Sequence, residues 1–203
     1  SASRDIMLRS ILLQLSFTTF LFLGAGFGDV TLAANQVLLQ FIEITAYALD
    51  GFAIAAETLV GQAVGARSVT QLRQSSRIAM QWGFGGAAVL AVTFLVLGPA
   101  IIDLMTTAPD VRVEARAFLP WLILAPLIGV ASWIYDGIFI GALMGREMLR
   151  CMLISVAVYV VALLCLVPAI GNHGLWGALM VLNLMRGLTM RLAFPAVFSA
   201  ARA

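Results

Sequence analysis

Four carboxylates stand inside apolar sequence, where an ionised side chain has no water to face. Glu43, Asp50 and Glu57 follow one another at seven-residue steps, and Asp136 lies alone in a second apolar run. Ionised carboxylates in hydrocarbon are costly, so these residues require a buried, wet or paired setting. On a helix a step of seven drifts by only about 20°, so the first three share one face. That acidic stripe cannot point at lipid.

For Asp50 and Asp136 the available chemistry is proton or cation binding, or a counter-charge for a cationic ligand. The competing reading is a neutral carboxylic acid bonded to a neighbouring helix. Glu57, with Gln62 and Arg67 beyond it, suits a polar vestibule, and Glu43 an interfacial, solvated position. Tyr47 and Tyr135 stand within three residues of Asp50 and Asp136, and aromatic faces attract cations. Trp133 reads as core packing. Gln14, Gln36, Gln40, Asn35 and Asn183 either line the same cavity or bond between helices. Arg186 either pairs with one of these acids across the bundle or, the favoured reading, snorkels to the cytoplasmic side.

The elements that carry these residues are membrane helices. The chain has 203 residues, 62% of them hydrophobic and only 11% charged, and its mean hydropathy is +1.03. That composition belongs to an integral membrane protein. The apolar runs recur along the whole length, so no segment reads as a removable leader. The spacing predicts six spans, over about 5–27, 30–64, 78–97, 117–144, 148–167 and 175–198. Asp29 or Thr31 is expected to cap the second helix, and Gly98-Pro99 to stop the third. Pro109-Asp110 is expected to open a separate short interfacial helix.

All twelve basic residues are Arg. Only Arg112 and Arg116 fall in the third-to-fourth connection, beside Asp110 and Glu114. The rest fall at the start, in the second-to-third and fourth-to-fifth connections and in the C-terminal region, with Arg4 and Arg9 flanking the first helix and Arg67, Arg73 and Arg77 in one basic loop. The positive-inside rule then puts both termini in the cytoplasm. Glu57 and Asp136 each precede an arginine of that face by ten residues, about 15 Å of helix, which puts both near the bilayer midplane.

Little supports an enzyme. Cys151 and Cys165 lie about 21 Å apart on one predicted helix and cannot bond to each other. His173 reads as a solvated loop residue, so no metal cluster or cofactor is expected, and nothing in the pattern implies nucleic acid. Gly26-Phe27-Gly28-Asp29 and Tyr135-Asp136 spell the two short signatures of intramembrane aspartyl proteases. They occur in reverse order, and Asp29 falls in an outer turn, far from the depth of Asp136. Such enzymes need two aspartates close enough to share a proton.

Several helices, acids at two depths, glycine-rich contacts and kinking prolines suit a transporter with alternating access. The runs Gly28-Asp29-Val30-Thr31-Leu32-Ala33-Ala34-Asn35-Gln36, Tyr47-Ala48-Leu49-Asp50-Gly51-Phe52-Ala53 and Glu57-Thr58-Leu59-Val60-Gly61-Gln62-Ala63-Val64-Gly65-Ala66 sharpen this. They resemble the multidrug and toxic compound extrusion (MATE) family, most of all its DNA-damage-inducible F branch, in the C-terminal six of twelve helices. The resemblance implies a lobe of an antiporter in the bacterial inner membrane. Such a lobe expels amphipathic, often cationic, small organic compounds in exchange for H+ or Na+.

It also implies that Asp136 corresponds to the helix-ten acid tied to cation coupling in sodium-linked relatives. The helix-seven glutamate of those relatives is missing, since that neighbourhood reads Leu13-Gln14-Leu15-Ser16, so the implied sodium site is incomplete here. A lobe carrying one wall of a cavity cannot alternate access alone. The implied partners are therefore membrane lipid and the N-terminal lobe of the same full-length chain, or a second copy. The alternative within the superfamily is flipping of a lipid-linked precursor, which favours a cationic cavity where this chain has an acidic ladder.

Overall fold

The computed structural model describes residues 2–202, and among these the chain forms seven helices: α1 Ala2–Ala25, α2 Asp29–Gly65, α3 Val69–Met105, α4 Pro109–Gly141, α5 Gly145–Ile170, α6 Asn172–Ala193 and α7 Pro195–Arg202. The first five are long and apolar enough to cross a membrane, so the protein is a multi-pass membrane protein. Six spans were expected. The sixth, α6, is interrupted by Asn172, Asn183, Arg186 and Arg191, and its apolar run is diluted accordingly. The outer faces of α3 and α5 expose Val89, Val96 and Leu164, as befits surfaces whose solvent is hydrocarbon.

Several boundaries differ from the sequence expectation, each for a local reason. Helix α3 runs through Gly98-Pro99 to Met105. A membrane helix tolerates the lost hydrogen bond of a proline, and Gly98 is a packing notch: a Cβ there would stand 2.8 Å from Leu119 Cδ2. Arg73 and Arg77 belong to α3, so the expected basic loop shrinks to the turn 66–68. Pro109 opens α4 itself and no separate interfacial helix forms. The predicted last span divides at Phe194, because Pro195 starts a fresh helix. Neither Asp29 nor Thr31 caps α2; Gly28 at φ 103° takes that position, and Thr31 Oγ1 donates to Glu114 Oε1 across 3.4 Å.

The links are short, which keeps successive helices antiparallel. Helix α4 is central and packs on α2, α3 and α6, while α5 packs on α1 and α6. The α2–α4 contact is a backbone contact. A Cβ at Gly137 would overlap the carbonyl of Ala53, and one at Gly141 would overlap that of Glu57. Two glycines four residues apart on α4 thus meet two positions four apart on α2, and the helices run parallel at close range. Gly83 and Gly86 on α3 admit Ile134 and Phe52 in the same way, whereas Gly85 faces open space.

The turns after α2 and α4 share one design. Arg67 and Leu143 adopt φ of 53° and 58°, and the N–H groups of Ser68 and Met144 reach back to the carbonyls of Ala63 and Phe139 at 3.0 and 2.9 Å. These are Schellman caps built without glycine at the left-handed position. At the other end, Asn35 and Asn172 exchange amide hydrogen bonds of 2.8 and 2.9 Å, and Trp176 Nε1 donates to Asn35 Oδ1 at 3.0 Å. Asn35 is therefore an interhelical tie. His173 lies in the first turn of α6, exposed, with Nδ1 accepting from Trp121 Nε1 at 3.1 Å. Both cysteines are free thiols on α5, Cys151 buried and Cys165 exposed.

Candidate functional site

The acidic stripe and Asp136 converge on one cavity of about 690 Å³ between α1, α2, α4 and α6. From α2 come Glu43, Asp50 and Glu57; from α4 come Trp133 and Asp136; from α1 comes Gln14; and from α6 comes Asn183. The glycine contact between α2 and α4 is what brings the Glu57 and Asp136 walls together. Leu39, Ile42 and Ile54 supply apolar surface between the acids.

Not every expected residue reaches this cavity. Tyr47 is 76% exposed and, like the exposed Gln36, is absent from the lining. Tyr135 faces the opposite side of α4 and lines another cavity with Arg191. Adjacent residues of a helix point about 100° apart, so nearness to Asp136 in sequence did not carry Tyr135 to the same face.

Asp136 is the most heavily engaged of the four acids of this cavity. Arg186 Nη2 donates to its Oδ2 at 2.6 Å and Arg9 Nη1 to the same oxygen at 3.4 Å. The three side chains are only 5%, 14% and 12% exposed for Arg186, Asp136 and Arg9, so this is an interior ion triad joining α1, α4 and α6. The expected snorkelling of Arg186 is overturned: it turns inward, and Asn183 Oδ1 accepts from its Nη1 at 3.4 Å. The Nε groups of Arg9 and Arg186 are buried without a hydrogen-bond partner. Among the described residues, by contrast, Glu43, Asp50 and Glu57 form no ion pair.

Arg9, a flanking residue by its place in the sequence, lies inside α1 and lines the cavity with Leu13, Phe17 and Leu21. The four-residue repeat of those positions was the available signal. Asp136 lies five residues, roughly 7.5 Å of helix, from the end of α4. The ten-residue count to Arg146 is therefore not all helix, because the chain leaves helix at 142–144. The aspartyl-protease arrangement is excluded by geometry. Gly137 packs on Ala53, which stands roughly 36 Å along α2 from Asp29.

The MatE family model matches residues 6–166. DNA damage-inducible protein F of Escherichia coli (strain K12) is 43% identical over 188 residues, covering 93% of this chain and 41% of that protein. Multidrug and toxin extrusion protein 1 of Rattus norvegicus is 27% identical over 169 residues, covering 79% and 29%. The fold matches the Vibrio cholerae MATE transporter VcmN in the bent form with a TM-score of 0.83, at 22% identity, over 96% of this chain and 45% of that one. The chain spans less than half the length of these relatives. A family model over most of the chain, and a close relative along nearly all of it, identify this protein as a member of the MatE family, whose members are transporters and not enzymes.

Proposed function

We propose that this chain forms one lobe of an antiporter that expels amphipathic, cationic organic compounds. The observation that carries the reading is the cavity itself: three carboxylates without ion pairs on one wall, apolar side chains between them, and a fourth carboxylate tied to two arginines. An organic cation would lay its apolar body on Leu39, Ile42 and Ile54 and its charge against Asp50 or Glu57. The other wall comes from an N-terminal lobe or from a second copy, since one lobe cannot close a cavity from both sides. The lobe belongs in the bacterial inner membrane with six spans and both termini cytoplasmic, the arginine-rich end marking that face.

Protons fit the coupling role better than sodium. A sodium ion at Asp136 would stand beside two guanidiniums, whereas Asp50 and Glu57 have no cation at hand. A precursor flippase is the second reading, favoured by the presence of Arg9 and Arg186 in the cavity. Both are already engaged by Asp136, which weakens it.

Dye uptake into everted vesicles, driven in turn by a proton and a sodium gradient, tests the proposal on this chain alone and joined to an upstream six-helix lobe. Proton-driven uptake by the joined form is expected, lost in Asp50→Asn and Asp136→Asn and only weakly altered in Glu57→Gln. Unchanged uptake in both aspartate variants would sink the coupling assignment. No uptake in any inserted form would move the weight to the flippase.

A further inference from the structure

A second cavity, of about 580 Å³, lies on the face of α4 that Tyr135 occupies, at the arginine-rich end of the bundle. Arg73 and Arg77 enter it from α3, one helical turn apart, and Arg191 enters from the last turn of α6. Like charges at that spacing repel, and a third from another helix adds to the repulsion. Among the described residues none of the three is ion-paired to a carboxylate. Three converging cations without a counter-charge leave the cavity short of an anion.

A separate observation points to the same place. Ser76 lines the cavity, is only 6% exposed, and its Oγ is buried without any hydrogen-bond partner. A buried hydroxyl left unbonded is costly. Gln81 and Tyr135 add two further polar groups, and the rest of the lining is apolar, with Phe84 from α3 and Phe194 and Phe198 from the junction of α6 and α7. The Arg73 guanidinium lies over the Phe198 ring, 5.3 Å from its centroid, which fixes it above an aromatic floor.

We propose that this cavity binds the headgroup of one anionic phospholipid. Guanidinium groups present paired donors that match phosphate oxygens, and the phenylalanines offer a surface for the first acyl carbons. Basic pockets between membrane helices at the cytoplasmic side suit such lipids. The bound lipid would bridge α3 and α7, where Arg73 already lies over Phe198.

Native mass spectrometry on the detergent-purified protein tests the site, titrated with dioleoyl phosphatidylglycerol, dioleoyl phosphatidylcholine or inorganic phosphate. Retention of phosphatidylglycerol over phosphatidylcholine is expected. Binding should weaken about tenfold or more in Arg77→Gln/Arg191→Gln, since each charge-assisted bond contributes that order. The pair Arg67→Gln/Arg146→Gln, at the same end but outside the cavity, should bind as the parent does. Arg77→Lys/Arg191→Lys keeps the charge and the fold and should fall between the two. Equal retention of both lipids, or unchanged affinity in either cavity variant, would overturn the proposal. Displacement of the lipid by inorganic phosphate at equal concentration would assign the site to a free anion instead.

Discussion

Arg186 and Asp136 share the shortest ion contact of the bundle interior, 2.6 Å between Nη2 and Oδ2, with Arg9 reaching the same oxygen from α1. Buried ions gain from each other only what desolvation has already cost them, so removing one partner does more harm than removing all. Arg186→Met is expected to destabilise the protein by about 3–5 kcal/mol. The triple variant Arg9→Met/Asp136→Leu/Arg186→Met should recover most of that loss. Thermal unfolding in detergent measures both; strictly additive losses would mean that the triad is not a coupled unit.

The contact of Gly137 and Gly141 with the carbonyls of Ala53 and Glu57 sets the spacing of the cavity walls. A larger side chain there meets backbone, which cannot rotate away. Gly141→Val should cost more than the roughly 1–3 kcal/mol of ordinary overpacking and should lower the melting temperature accordingly. Gly85, on a helix but facing open space, is the contrast: Gly85→Ala should be neutral or stabilise by up to about 1 kcal/mol from helix propensity. Similar shifts for the two variants would refute the backbone contact.

The contrast between Asp136 and its neighbours shows what the sequence makes legible. A carboxylate in an apolar run is visible because its cost is local, so Asp50, Glu57 and Asp136 stand out before any fold is known, whereas Glu43, read as interfacial and solvated, is brought into the same cavity only by the fold. The partners of Asp136 are set by tertiary geometry: Arg186 comes from fifty residues away and Arg9 from 127. Tyr135 fails for a simpler reason, since adjacency along a helix is not adjacency on a face. The long helices are legible from hydropathy. Gly98-Pro99 misleads because stop signals learned in water lose force where every backbone group must bond within its own helix.

The reciprocal amide pair of Asn35 and Asn172 joins α2 to α6 at the end remote from the ion triad. Asn35→Leu removes one partner and leaves the amide of Asn172 and the indole N–H of Trp176 without acceptors. The expected loss is about 1–3 kcal/mol. Asn35→Leu/Asn172→Leu should recover part of it, because an apolar pair leaves no amide stranded. Chemical unfolding of the two variants distinguishes the cases: equal losses would show that the pair acts through shape and not through its hydrogen bonds.

Leu143 ends α4 in the left-handed region at φ 58°, with its side chain 77% exposed. The side chain contributes little packing there, while its Cβ crowds the backbone at a cost of roughly 1–2 kcal/mol that glycine avoids. Leu143→Gly therefore keeps the Schellman bonds of Leu143 and Met144 to Ile140 and Phe139 and relieves the strain. Greater freedom of the unfolded chain offsets part of the gain. The expected outcome is a net stabilisation of up to about 1 kcal/mol, seen as a modest rise in melting temperature. Leu143→Val should move the other way, because a β-branched residue at positive φ is more strained than leucine. A drop in stability for the glycine variant would mean that the exposed leucine is held by lipid at the membrane surface, and that its anchoring outweighs the backbone strain.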